Sequence, residues 1–172
     1  MPRADIDAHF SKIDDLISEI DGLVPPDSGY RAVQFRADLA GLLVVAMAAT
    51  YETCVKEVLY EYADRHHIAF GGYARRSYEK INSRVLVKDL TKYCEIFDPA
   101  IKVRFKNRLR EKKAALLQRT GKNIETSYEQ ILDWRHEFAH AGNRNTTIEE
   151  ATKTHRVGKR IIYLFDDAFH RP

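Results

Sequence analysis

The chain has 172 residues, of which 44% are hydrophobic and 31% charged; this composition suits one globular domain over residues 1–172 and excludes a disordered or collagen-like chain. The net charge of +3 is too small to establish a nucleic-acid partner by itself. The longest nearly apolar run, Leu39 to Ala49, covers about half of the ~20 residues that a membrane-spanning helix needs, so no membrane partner is expected.

The start of the chain and its cysteines indicate a cytoplasmic protein. Met1 leads directly into an acidic stretch, without the charged and apolar regions of a signal peptide. Cys54 and Cys94 lie far apart and lack metal-ligand spacing, so the simplest interpretation is reduced thiols.

The spacing of apolar residues predicts an all-α fold, because it follows the helical period in nearly every segment and never alternates convincingly. A first helix is expected over about residues 4–20, and a long second helix over about residues 31–66. The middle of the second helix is apolar on all sides, which predicts that it is the buried central helix. Gly71 and Gly72 should break the chain before one or two short helices within residues 73–97.

Capping signals divide the second half of the chain into three further helices. Pro99 fits the first turn of a helix that carries a basic stretch to about Arg119. Capping boxes at Thr126 and Thr147 open the other two, and Gly142 should cap the end of the helix that begins at Thr126. The sequence therefore predicts an up-and-down bundle of four or five long helices with short extra helices.

Positive charge is concentrated in the middle of the chain. Residues 102–122 contain nine lysines and arginines and only one acid, Glu111. Such a stretch can follow a phosphate backbone, although a solvated helix face has the same composition. Arg104, Arg108 and Lys112 are the candidate RNA contacts. Tyr73 and Tyr78 stand among basic residues and could stack on bases, but solvated loop residues are an equal alternative.

The segment from Trp134 to Gly142 contains two overlapping motifs. The first, His136-Glu-Phe-Ala-His140, satisfies the His-Glu-x-x-His pattern of zinc peptidases, with Glu137 as the base. A third ligand would have to come from His155 or Glu149, neither of which sits in a recognisable second motif. This zinc-dependent hydrolase is the least favoured function, because Gly142 lies too close to His140 for the extended motif and no sheet is predicted.

The second motif is Arg135 followed after four residues by His140, near the end of a helix. It resembles the signature of the HEPN family (higher eukaryote and prokaryote nucleotide-binding domain). The segment from Ala49 to Leu59, with Glu52 at a commonly acidic position, looks like the second long helix of the RiboL-PSP branch. Ribonuclease members often have asparagine after the arginine, whereas this chain has His136, a second titratable group.

The resemblance implies a metal-independent endoribonuclease that needs no cofactor. Two protomers of such a homodimer would bring their motif helices together across a two-fold axis. Arg135 would stabilise charge on the phosphate and His140 would transfer a proton, since imidazole titrates near neutrality. Glu52 could orient Arg135, His136 could assist, and Asn143 could hydrogen-bond the substrate.

The same resemblance implies a biological setting. Toxin–antitoxin systems and anti-phage defence are expected, with an antitoxin or a nucleotidyltransferase as candidate partner. A non-catalytic HEPN module that binds nucleotide, RNA or protein is the main alternative. Several residues also have structural interpretations: Arg135 can pair with Glu52 or Glu129, Glu52 with Lys56, and Trp134 and Phe138 can belong to the core. His66, His67 and His170 are interpreted as surface residues.

Overall fold

The structure is a computed structural model that describes residues 2–26, 29–81 and 84–170. All secondary structure in these residues is helical. The helices within these described ranges are α1 (Pro2–Leu23), α2 (Gly29–His66), α3 (Ile68–Tyr78), α4 (Val87–Phe97), α5 (Pro99–Thr120), α6 (Ile124–Ala141), α7 (Ile148–Gly158) and α8 (Arg160–His170). Four of them are long, and α7 and α8 are separated only by Lys159, so the predicted bundle with short extra helices is confirmed. The predicted chain break at Gly71 and Gly72 is wrong, because both glycines lie inside α3 and the break comes earlier, at His67.

Helix α2 is the central element of the bundle, as predicted, and contacts α1, α3, α6, α7 and α8. Its side chains Leu43, Met47 and Tyr51 are fully buried. The apolar middle is nevertheless buried on one side only, because Leu42 is 57% exposed on the opposite side of the helix, and Phe35, nearer the start of α2, is 53% exposed on that same side.

The length and hydropathy of residues Ala32–His66 would also suffice to cross a membrane. The 11-residue apolar run therefore underestimates the length over which this helix is apolar. A core helix of a globular protein satisfies the same criterion, and the inner face of α2 packs as such a helix within the described part of the chain.

The start of α6 differs from the sequence prediction. Its N-cap is Asn123, whose side-chain oxygen accepts a hydrogen bond from the Glu125 amide at 3.0 Å, and not Thr126. The earlier start buries Ile124 completely in the core, which explains why it is preferred. The cap at Thr147 is confirmed, since its hydroxyl accepts from the Glu150 amide at 3.1 Å.

A stack of three buried rings joins α2, α6 and α7. Tyr51 lies between Tyr128 and His155, with ring centroids 5.0 Å and 5.6 Å away and interplanar angles of 14° and 15°. The Tyr51 hydroxyl and His155 Nδ1 form a hydrogen bond of 2.9 Å, and the Tyr128 hydroxyl donates to the Val85 carbonyl at 2.8 Å. The polar atoms of the two tyrosines are therefore satisfied inside the core, as burial requires.

A buried arginine of α2 joins the end of α1 to the start of α7. Arg36, on α2, donates to the Val24 carbonyl, to Asp21 at 2.9 Å and to Glu149 at 2.6 Å. These bonds connect the end of α1 and the start of α7 to α2. They also anchor one end of the segment that follows α6.

Two glycines allow other helices to approach α6 closely. A Cβ atom on Gly158 of α7 would lie 2.9 Å from backbone atoms of Tyr128, and one on Gly41 of α2 would overlap the Phe138 ring. A side-chain ring can rotate away, whereas backbone cannot. A side chain at position 158 is therefore tolerated less well than one at position 41.

We expect Gly158→Ala to lower the free energy of unfolding by about 1–3 kcal/mol, because α7 must move away from α6. Gly22→Ala in α1 is the matched control, since no described heavy atom lies within 4 Å of its added methyl group. The control should be neutral or stabilise the fold by up to about 1 kcal/mol through helix propensity. Urea unfolding of both variants measures the difference, and equal stabilities would contradict the close packing.

The stability of the protein should also depend on the ionisation of His155. Burial, assisted by the positive charges of Lys159 and Arg156, lowers the pKa of His155 to about 3. The folded state therefore favours the neutral ring. Its stabilising contribution is complete above the unfolded pKa of about 6.5 and is lost as the pH falls toward 3.

As the pH falls from 7 to 5, His155 becomes protonated in the unfolded chain but stays neutral in the folded one. We expect this difference to lower the free energy of unfolding by about 2 kcal/mol. His155→Phe keeps a ring in the stack and removes the titrating group, so its stability should fall less steeply over this interval. The measurement is urea unfolding at a series of pH values for both proteins. Parallel curves would show that His155 does not carry this pH dependence.

Candidate active site

Helix α6 presents the Arg-x4-His motif on its outer side. Ile131, Leu132 and Trp134 are buried against the bundle, which confirms that Trp134 belongs to the core. Arg135 is half-buried, whereas His136 and His140 are exposed. The helix ends as predicted at Gly142, where φ is +66° and the amide donates to the Phe138 carbonyl at 3.0 Å.

The three motif side chains line one open cleft of about 410 Å³. Helix α6 forms one side of this cleft, and the chain that leads into α4 forms the other together with the first turn of α4. The lining residues are Arg84, Leu86, Lys88, Asp89, Arg135, His136 and His140. The structure therefore brings both predicted catalytic residues and His136 to a single surface.

The two histidines of the cleft lie against each other. Their ring centroids are 4.5 Å apart, at an interplanar angle of 54°. The spacing of four residues places them on the same side of α6. Two imidazoles beside a guanidinium provide the groups that acid–base chemistry on a phosphate ester needs.

Two further cations in the cleft were missed by sequence reasoning. Arg84 forms an ion pair with Asp133 of α6, and this pair holds the loop before α4 against the motif helix. Lys88 is exposed and makes no ion pair in the described part of the chain. Both residues are about 50 positions from the motif, and no spacing rule connects them to it.

Among the described residues, Asp89 is the carboxylate that lines the cleft, and it has a structural partner. Asp89 accepts a hydrogen bond from the Leu86 amide at 2.9 Å and so caps the start of α4. The cations of the cleft are Lys88, Arg135 and Arg84, of which Arg84 is already paired with Asp133. The excess of cations favours an anionic substrate at this surface.

Glu52 and Asn143 are not among the residues that line the cleft. Glu52 accepts a hydrogen bond from Lys56 at 2.7 Å, which is the helix-surface ion pair considered above. Asn143 is exposed, and its backbone amide donates to the Glu137 carbonyl at 3.4 Å. The roles suggested for these two side chains remain predictions.

Neither His155 nor Glu149 is placed to act as the third ligand of the zinc motif. His155 is fully buried in the ring stack, and Glu149 is bound to Arg36. Glu137 accepts a hydrogen bond from the Asn145 side chain. The residues that the structure describes contain no group of three or more His, Cys, Asp or Glu side chains that could hold a metal ion.

The candidate RNA contacts of α5 lie on its α8 side. The Arg104 Nε atom donates to the Ala168 carbonyl at 3.0 Å, so part of this side chain is committed to the fold. Arg108 and Lys112 line a groove together with two acids, Glu111 and Asp167. Glu111 makes this groove a less favourable site for phosphate than the sequence indicated, whereas Asp167 is also bound to Arg3 at 3.2 Å.

Several other sequence interpretations are corrected by packing. Tyr78 is packed against Tyr93 and Phe97 and is therefore not placed for base stacking. His170 is not a surface residue, because its Nδ1 atom bonds Asp166 at 2.8 Å and its side chain is only 9% exposed. His66 and His67 are exposed, as expected.

A comparison with protein-family models gives one match. The model described as RiboL-PSP-HEPN matches residues 7–171, which include all the residues of the cleft. No curated protein and no solved structure matches the chain.

Proposed function

The chain belongs to the RiboL-PSP-HEPN family, and from this premise we propose that it is a cytoplasmic, metal-independent endoribonuclease that acts as a homodimer. The observation that carries the proposal is the cationic cleft in which Arg135, His136 and His140 meet. The toxin–antitoxin or anti-phage setting, with an antitoxin or nucleotidyltransferase partner, rests on the family resemblance alone.

The proposed reaction is an internal transesterification of RNA. A base takes the proton of the 2′-hydroxyl, whose oxygen attacks the adjacent phosphorus, while an acid protonates the departing 5′-oxygen. The products are a 2′,3′-cyclic phosphate and a free 5′-hydroxyl. His140 serves as a proton-transfer group, and Arg135 stabilises the additional negative charge of the transition state. His136, in contact with His140, supplies a second imidazole.

The outer side of α2 supports a second copy of the chain as the partner. Phe35, Leu42 and Ala49 follow one another at intervals of seven residues and are all exposed. Such spacing forms a continuous seam that a second helix can cover. We call these three residues the α2 stripe.

The α2 stripe lies beside the motif helix. Gly41, next to Leu42 in the sequence, contacts Phe138 of α6, and Asp38 pairs with Arg144 just beyond the end of α6 at 2.5 Å. A two-fold axis along the stripe would therefore place two motif helices close together. In such a dimer each cleft is near a second arginine and a second histidine.

A non-catalytic module that binds RNA or nucleotide through the same cleft is the second candidate. It is favoured by His136, which replaces the asparagine common in ribonuclease members. Labelled RNA incubated with and without EDTA separates the functions. Chelator-resistant cleavage supports the ribonuclease, binding without cleavage supports the module, and activity abolished by EDTA supports a metal enzyme.

We expect His140→Ala and Arg135→Ala each to reduce RNA cleavage at least about a hundredfold, because each removes a group that acts in the transition state. Neither side chain is fully buried, so folding should survive. His136→Ala should reduce cleavage less. Rates on labelled RNA, with products tested for the 2′,3′-cyclic phosphate, provide the measurement.

A substrate with a 2′-deoxy residue at the scissile position is the matched control for the chemistry. It lacks the attacking hydroxyl and should resist cleavage by the wild-type protein. Wild-type cleavage rates in a well-folded His140→Ala protein would refute the assigned role.

We expect Leu42→Glu to weaken dimerisation by at least about a hundredfold, because the two-fold axis buries the introduced charge twice. Ile96→Glu is the control, since Ile96 is 58% exposed on α4, away from the α2 stripe. Sedimentation at several protein concentrations measures both variants. A Leu42→Glu protein that dimerises like the wild type would exclude the stripe as the interface.

A further inference from the structure

Helix α5 carries two separate basic faces. Arg104, Arg108 and Lys112 lie toward α8. There the Ala168 carbonyl binds Arg104, and Glu111 lines the groove beside Arg108 and Lys112. The second acid of this groove, Asp167, is also bound to Arg3 at 3.2 Å. Lys106 and Arg110 lie on the other flank of the helix, one turn apart, in a groove beside α4. The two faces differ in how much of their charge is already neutralised by the protein.

The flank toward α4 retains its positive charge. Lys106 and Arg110 are exposed, and Lys106 forms no ion pair within the described residues. Arg110 donates to the neutral Asn107 side chain at 3.3 Å. The acid in this groove, Glu125, is bound to Lys113 at 3.0 Å. We call the surface formed by Lys106, Arg110 and Lys113 the α5 groove.

The first turn of α4 separates the α5 groove from the active-site cleft. Leu86 and Lys88 line the cleft, whereas Val87, between them in the sequence, lines the α5 groove. A helix with its side chains is only about 10–12 Å across. A short length of an extended strand can therefore cross this turn and contact both surfaces, passing Lys88 on the way.

We infer that the α5 groove holds the phosphates of the RNA strand next to the scissile bond, and that the substrate is single-stranded. The inference rests on the proposed ribonuclease function. A flexible single strand can bend over the first turn of α4, whereas the deep, narrow major groove of an A-form RNA duplex does not admit a helix between its two strands. The Lys106 and Arg110 side chains then contact successive phosphates while the scissile phosphate lies against Arg135 and His140.

The inference is tested by replacing Lys106 and Arg110 together with alanine. Binding of a labelled single-stranded oligoribonucleotide is measured at several salt concentrations by fluorescence anisotropy. The slope of log K against log salt should fall by about 1.4, since each phosphate contact on a single strand contributes about 0.7. Affinity at low salt should fall at least tenfold, whereas cleavage of a dinucleotide that contains only the scissile phosphate should be unchanged.

The matched control is the double variant Arg108→Ala/Lys112→Ala, which removes the same charge from the α8 side of the same helix. It should change the salt slope by less than half as much. Equal losses in the two variants, or a loss only in the control, would overturn the placement of the strand. Duplex RNA that competes as well as single-stranded RNA would overturn the substrate class.

Failure of the inference is distinct from failure of the proposed function. Wild-type protein that neither binds nor cleaves RNA refutes both. Wild-type protein that cleaves RNA, together with a Lys106→Ala/Arg110→Ala variant that binds and cleaves equally well, refutes only the role of the α5 groove.

Discussion

The rotation of α6 about its own axis determines which side chains the molecule presents at its candidate site, and buried aromatic packing fixes that rotation. Tyr128 is held between the Tyr51 ring and the Val85 carbonyl, and six residues later Trp134 is also buried. With the inner side fixed at both points, the helical period turns His136 and His140 outward. The close contact of Gly158 with the Tyr128 backbone also restricts how α6 can move against α7. The packing of the core therefore determines the orientation of the site.

The cleft depends equally on a segment that is remote in the sequence. Arg84 is joined to Asp133 of α6, and the backbone just after it, at Val85, accepts the hydrogen bond from Tyr128. These two contacts position the start of α4 opposite the motif. Lys88 consequently faces the histidines although its own side chain has no role in the packing of the bundle. Structural bonds made by neighbouring residues thus create the excess positive charge of the cleft.

Sequence reasoning succeeded where the signal is local. The all-helical fold, the cap at Thr147 and the end of α6 at Gly142 follow from apolar spacing and from the conformational preferences of single residues. It failed where a distant partner decides. Asn123 replaces Thr126 as a cap because the core accommodates Ile124, and Arg104 is directed to a carbonyl on α8. Nothing in the local pattern around Arg84 or Lys88 shows that α6 lies beside them.

The uniformly apolar middle of α2 is a further case in which a local pattern does not reveal the partner of a surface. An amphipathic helix has one apolar face, whereas α2 has an inner face buried in the bundle and an outer one with Leu42 exposed. Exposure to solvent does not account for the second apolar face, since the apolar side chains of the α2 stripe gain no stability from contact with water. A helix that separates a core from a subunit interface requires apolar residues on both sides. In the proposed dimer, the residues that raise the hydropathy of α2 to that of a membrane helix are therefore divided between folding and assembly, and the motif helix lies where these two surfaces meet.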